Sequence, residues 1–320
     1  MTMEERIIFC KTALSSLCET ARTCSSGLYV QAAAIWEELG SRGFTLDSLN
    51  YLDELNPGQT ATEETKQLRA LVPIIFDTSR ALQTTGDGNC FFNALAILGN
   101  GTEALAVEYR LRTALCLILE REALIIHPND QKDSCCRFEK HQKTLVASLA
   151  QFCAERHMSN LHLKYVDKES LEPVTRRNNI SEDCIWILPS EMYVPWLDEH
   201  AVKITQDCSW TCYMWIIAAA VAHDNNIIII RPQGYHSVWV RCRTDKAKKP
   251  WCLFWENNHF SAVRLDLFAN GILLEYLDSL EAKDKSQLTE VEVWCICDFP
   301  NMALVMLVTS QQKKNESLEL

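Results

Sequence analysis

Cys90 follows the run Gly86-Asp-Gly-Asn and opens the apolar stretch Phe91-Phe-Asn-Ala-Leu-Ala-Ile-Leu, which reads as a buried helix ending at Gly99-Asn-Gly101. A cysteine in that position has a physical reason to react. Unpaired backbone N–H groups and the positive end of the helix macrodipole stabilise a thiolate there. Glycines on either side of Asp87 let the loop turn tightly and aim its amides at a bound oxyanion. His259, in the loop Glu256-Asn-Asn-His259, could serve the thiol as a base if the fold brings the two together. Their long separation in the chain is no obstacle, because such partners are spatial neighbours. Residue types alone leave the matter open. A buried cysteine at a helix start is more often a packing residue than a catalytic one, and His259 is one of eight histidines.

The elements that must position these residues follow from periodicity. Two helices are expected near the N-terminus, one through Ile7, Ile8, Ala13, Leu14 and Leu17, the other over Leu28 to Leu39 with Val30, Ala33, Ala34 and Trp36. The polar, turn-rich stretch from Leu55 to Glu64 reads as a linker. A short helix over Thr62–Leu71 should leave it, with Glu63 and Glu64 in its first turn and Pro73 beyond its end. After Cys90 an amphipathic helix is expected between Glu103 and Arg121, with Ala104, Val107, Leu111, Leu115, Ile118 and Leu119 on one face. Further helices are expected over residues 137–154 and 211–222. Strands come later: Ile227–Ile230 as a β-branched interior run, then Trp251–Trp255 and Ser261–Leu265, with extra strands at Val291–Cys297 and Ala303–Thr309 and a polar tail from Gln311. Helices first and strands clustered afterwards indicate an α+β fold.

Composition narrows the chemistry. The chain has 320 residues, 42 acidic against 31 basic, a formal charge of −11, and 48% apolar content. That balance disfavours nucleic acid as a partner, since phosphate binding needs concentrated Lys and Arg. No run of apolar residues is long enough to predict a membrane span. Fifteen cysteines, an odd number, spread from Cys10 to Cys297, point to a reducing intracellular setting, cytoplasm or nucleus. The first residues carry acids where a secretory leader would carry bases. Metal binding is not expected: Cys135-Cys136, Cys208 with Cys212, and Cys295 with Cys297 lack C-x-x-C spacing or matching histidine pairs.

Four blocks then fall in a recognisable order. Gly86-Asp-Gly-Asn-Cys-Phe-Phe-Asn-Ala-Leu95 resembles the nucleophile motif of the OTU (ovarian tumour) cysteine proteases. Tyr109-Arg-Leu-Arg-Thr-Ala-Leu-Cys-Leu-Ile-Leu is similar to the helix that follows it. Trp210 to Ile230 resembles the family's tryptophan, apolar helix and parallel strand. Trp251 to Leu265 resembles the strand, histidine and strand that close the site. Four blocks in family order are far more specific than any one motif.

The resemblance implies a papain-like α+β core over 76–267, a helical N-terminal extension over 1–75, and a C-terminal extension over 268–320. It implies hydrolysis of the bond after the C-terminal glycine of ubiquitin, a polyubiquitin chain or a ubiquitin-like modifier, with no metal or organic cofactor. Cys90 would be the nucleophile and His259 the general base and acid. Gly86, Asp87, Gly88, Asn89 and Cys90 would form the oxyanion loop, with Asp87 at the family position that shapes it. Asp87 is equally a turn residue that bonds its own backbone. The family commonly places Asp or Asn two residues after the histidine to orient the imidazole. Here that position is Ser261, and Asn257 is a second candidate orienter. The missing carboxylate, and the long insert between 155 and 207, leave a second reading: a weakly active or inactive OTU-like module that binds ubiquitin. Glu182, Asp183, Asp198 and Glu199 are candidate acids for a basic substrate tail.

Overall fold

The structure, a computed structural model, describes residues 2–23, 27–43, 60–71, 79–120, 124, 164–167, 184–187, 197, 200–206, 211, 213–231, 237–242, 250–265 and 291–296. Among the described residues the helices include α1 (Met3–Thr23), α2 (Gly27–Ser41), α3 (Thr62–Leu71), α4 (Cys90–Asn100), α5 (Ala106–Leu119) and α6 (Tyr213–Ala222). The strands are β1 (Arg80–Leu82), β2 (Lys164–Asp167), β3 (Cys184–Ile187), β4 (Ile227–Ile230), β5 (Ser237–Cys242), β6 (Trp251–Glu256), β7 (His259–Arg264) and β8 (Val291–Ile296). Six of these strands form one sheet in the order β1-β7-β6-β4-β5-β8, and β2 pairs with β3 separately. Among the described strands only β4 and β6 run parallel within the large sheet; its other neighbours are antiparallel. The expected α+β architecture forms.

All four isoleucines of β4 are buried, as a continuous β-branched run in an interior strand requires. Alternation in the sheet sends Leu82, Ile227, Ile229, Leu253, Phe260 and Ala262 into one core with α4, α5 and α6. Residues of α1 and α2 join the same core: Cys10, Leu14 and Leu17 from one, Leu28, Ala32, Ile35 and Leu39 from the other. In α2 the buried stripe differs from the expected set, because Val30 and Trp36 are exposed. The spacing of Leu28, Ala32, Ile35 and Leu39 is the better fit to a 3.6-residue turn.

α5 departs most from expectation. It was expected to show one apolar face, yet it is buried almost all round, including Glu108, Arg110 and Arg112. α1 and α2 cover one side while α4 and α6 cover others. Its charges survive burial by pairing. Arg6 of α1 donates Nη2–H to Glu108 Oε1 at 2.7 Å and pairs again through Nε, while Arg112 Nε–H reaches the same Oε1 at 2.9 Å. Strands β1 and β5 and the β2–β3 pair have no counterpart among the expected elements. The helix over 137–154, the strand over 303–309 and the tail lie outside the described residues.

Candidate active site

Cys90 is the first residue of α4, and its side chain is buried, 6% exposed. The loop before it owes its shape to local hydrogen bonds. Asp87 Oδ1 accepts the Asn89 backbone N–H at 2.9 Å and Asn93 Nδ2–H at 3.2 Å, and Asp87 Oδ2 accepts Asn89 Nδ2–H at 3.3 Å. This is the backbone-mimicking turn that aspartate makes readily. Gly88 sits at φ +81°, a conformation that glycine adopts without steric cost. Burial alone would raise the Asp87 carboxyl, but bonds from Asn89 and Asn93 outweigh it and hold the group below its ordinary value.

The loop is fastened from outside by Arg110 of α5, a residue with no assigned role in the sequence reading. Arg110 Nη1–H donates to Asn89 Oδ1, Nε–H donates to the Ile204 carbonyl at 2.6 Å, and Nη2–H donates to the Gln206 carbonyl. Its guanidinium also lies 5.8 Å from the centre of the Phe92 ring. A planar, multiply donating cation suits a junction of three segments.

His259 arrives from the other side of the molecule. β6 and β7 join through Asn257 and Asn258 alone, at φ +50° and +61°, and Glu256 pairs with His259 in register. Two left-handed residues in succession make the hairpin turn that matches strand twist, and asparagine tolerates it. The histidine is therefore the first residue of a strand and not a loop residue, as its neighbours had suggested. It is half-buried, and the next residue, Phe260, is buried against Phe91 with ring centroids 5.3 Å apart.

The backbone amides of Phe260, Phe91 and Cys90 itself lie near enough to the Cys90 sulfur to favour its thiolate form. The helix start and the histidine strand thus meet at the thiol. Desolvation still dominates: burial pushes the Cys90 thiol up from its ordinary value, with the Asp87 charge adding to it, and the amides only partly offset this. The thiolate stabilisation expected at a helix N-terminus is present but outweighed. No hydrogen bond joins the thiol to the imidazole among the described residues.

The two residues expected to hold His259 do not touch it by hydrogen bond. Ser261 is buried on β7 opposite Phe254, and Asn257 is exposed in the turn. His259 Nε2 instead lies 3.0 Å from Thr84 Oγ1, and the same hydroxyl donates to the Phe260 carbonyl. Thr84, buried just past β1, carried no signal in the sequence, because its neighbours along the chain say nothing about its partners across it. Gly86, Asp87, Gly88, Asn89, Cys90 and His259 are gathered at one end of the sheet. Trp210 and the acids Glu182, Asp183, Asp198 and Glu199 lie outside the described residues. Cys10, Cys18, Cys90, Cys116 and Cys252 are thiols outside any disulfide.

A family model described as "Vertnin, OTU domain" matches residues 81–253, more than half of the chain. No curated protein gives a significant match. Among solved structures, the viral OTU domain protease from Farallon virus is 15% identical, with a TM-score of 0.36 over 59% of this chain and 85% of that one. The OTUD1 OTU domain is also 15% identical, with a TM-score of 0.32 over 63% and 94%.

Proposed function

Because this chain belongs to the Vertnin OTU domain family, we propose that it is a thiol-dependent hydrolase acting after the C-terminal glycine of ubiquitin or a ubiquitin-like modifier. The observation that carries this reading is the junction at Cys90. Its sulfur, at the start of α4, lies beside the backbone amide of Phe260, the residue next to His259. A nucleophile and a candidate base therefore stand on adjoining elements, as covalent catalysis requires.

In the proposed reaction His259 removes the thiol proton as the sulfur attacks the substrate carbonyl. The carbonyl oxygen becomes an oxyanion held by loop amides. Asn89 has spent its N–H on Asp87, so the oxyanion falls to other amides of the Gly86–Cys90 loop. The protonated imidazole then donates to the departing amine as the C–N bond breaks. Water, deprotonated by the same imidazole, releases the thioester and returns the thiol. An apo site with no thiol–imidazole bond is compatible with this, since catalytic hydrogen bonds often tighten only when substrate binds. We place the catalytic unit at 76–267, flanked by extensions 1–75 and 268–320, in a reducing compartment of the cytoplasm or nucleus.

A second reading has specific support: burial raises the Cys90 thiol, and no carboxylate bonds His259 among the described residues. Both suit a weakly active or inactive ubiquitin-binding module. Ubiquitin bearing a C-terminal electrophile separates the two. The hydrolase forms a covalent adduct that Cys90→Ala abolishes and His259→Ala slows. Binding without an adduct favours the module. Neither binding nor reaction, repeated with ubiquitin-like modifiers, removes both.

A further inference from the structure

Thr84 is 4% exposed and lies between β1 and the nucleophile loop. Its hydroxyl holds one proton and two lone pairs. A backbone carbonyl can only accept, so that proton goes to the Phe260 oxygen. The 3.0 Å contact with His259 Nε2 must then run the other way, with Nε2–H donating to Thr84 Oγ1. One proton count thus assigns the tautomer. Neutral His259 carries its hydrogen on Nε2 and its lone pair on Nδ1.

We infer that Thr84 is the positioning residue of the catalytic pair, holding His259 through Nε2 so that Nδ1 is the atom that exchanges protons with Cys90. The inference rests on the hydrolase reading for its catalytic consequence, but the tautomer stands on geometry alone. The Phe260 peptide ties the parts together. Its amide lies beside the Cys90 sulfur while its carbonyl takes the Thr84 proton. Sulfur, hydroxyl and imidazole are therefore all referred to two consecutive residues of β7. The proton balance is closed. In the attack Nδ1 gains the thiol hydrogen, giving an imidazolium with N–H on both nitrogens. The leaving amine takes the Nδ1 hydrogen, and water replaces it in the second half. The Nε2 hydrogen stays on the ring, donated to Thr84 Oγ1, throughout. A hydroxyl orients the ring without a negative charge, so the imidazolium is stabilised less than beside a carboxylate.

The experiment compares Thr84→Val, which keeps the shape and loses the hydroxyl, with Thr84→Ser, which keeps the hydroxyl. Two readouts are taken on the full chain: hydrolysis of a fluorogenic C-terminal ubiquitin amide, and the ¹⁵N spectrum of His259 near neutral pH. The valine variant should lose roughly 10- to 100-fold in kcat with KM little changed, the worth of one hydrogen bond to a charged group. Serine should recover most of that loss. The spectrum should show an Nε2–H imidazole in the wild type and a shift toward Nδ1–H in the valine variant. The spectrum needs no substrate, so this pattern upholds the assignment even in a chain that does not cleave ubiquitin. An Nδ1–H imidazole in the wild type overturns it even in an active one. Equal loss of kcat in both variants, with the tautomer unmoved, also overturns it.

Discussion

Replacing Gly99 by alanine sets two effects of opposite sign against each other. Gly99 is in the last turn of α4, the helix that Cys90 opens. Backbone propensity in a helix favours alanine by about 1 kcal/mol. Packing opposes it, because a Cβ there would stand 1.9 Å from Tyr109 Oη, 2.9 Å from Tyr109 Cζ and 3.3 Å from Trp251 Cζ2. Tyr109 is not free to swing aside. It is 1% exposed, stacked on His223 at 4.5 Å between ring centroids, and 5.7 Å from Trp251. Its hydroxyl donates to Asn100 Oδ1 at 2.7 Å. Overpacking of this kind costs about 1–3 kcal/mol. Losing the Tyr109–Asn100 bond in a dry site costs about 1–3 kcal/mol more. Set against the propensity gain, Gly99→Ala should destabilise the protein by about 3 kcal/mol. Urea unfolding followed by circular dichroism reads this as a lower midpoint at unchanged slope. Tyr109→Phe removes the oxygen that collides most severely, so the double variant should be more stable than additivity predicts, by about 1–2 kcal/mol. An alanine variant as stable as the wild type, or a strictly additive pair, refutes the reasoning.

Three further predictions concern other parts of the fold. Glu108→Ala leaves Arg6 and Arg112 buried without the carboxylate they share, and should cost about 3–5 kcal/mol in the same urea experiment; a loss below 1 kcal/mol would count against a buried triad. His223 is held down to about 3 from an ordinary 6.5, by burial first and then by the Arg112 charge. Below pH 6.5 the unfolded chain therefore binds a proton that the fold rejects, so stability falls as pH falls toward 3, by up to tenfold in the folding constant per pH unit. His223→Phe should flatten that slope when midpoints are compared across the range, and an unchanged slope contradicts the assignment. Asn258→Val forces a β-branched residue to φ +61° and should destabilise by about 1–2 kcal/mol, while Asn258→Gly should be neutral or stabilising by thermal melting; the reverse order would exclude the turn described.

The parts legible in the sequence are those that neighbours along the chain decide. The helices α1, α2, α3 and α4 and the strands β4, β6 and β7 follow from periods of 3.6 and 2 and from the glycines and asparagines between them. The loop Gly86–Cys90 belongs with them, since Asp87 bonds Asn89 two residues on. α5 was read correctly as a helix but wrongly as amphipathic. Its burial depends on α1 and α2 returning across it, and the Arg6–Glu108 pair links residues far apart in the chain.

The sequence by itself determined that a cysteine would open a buried helix, and that a histidine would stand near the connection between two strands. Spacing and residue type suffice for both, because each is a local choice of backbone conformation. Only the tertiary structure decided what surrounds them. It set Phe260 against the Cys90 sulfur, gave His259 Nε2 to Thr84 rather than to Ser261 or Asn257, and buried the thiol deeply enough to oppose its ionisation. Hydrogen-bond partners and desolvation are properties of groups brought together across the sheet, and no local pattern encodes which hydroxyl will be within reach of which nitrogen.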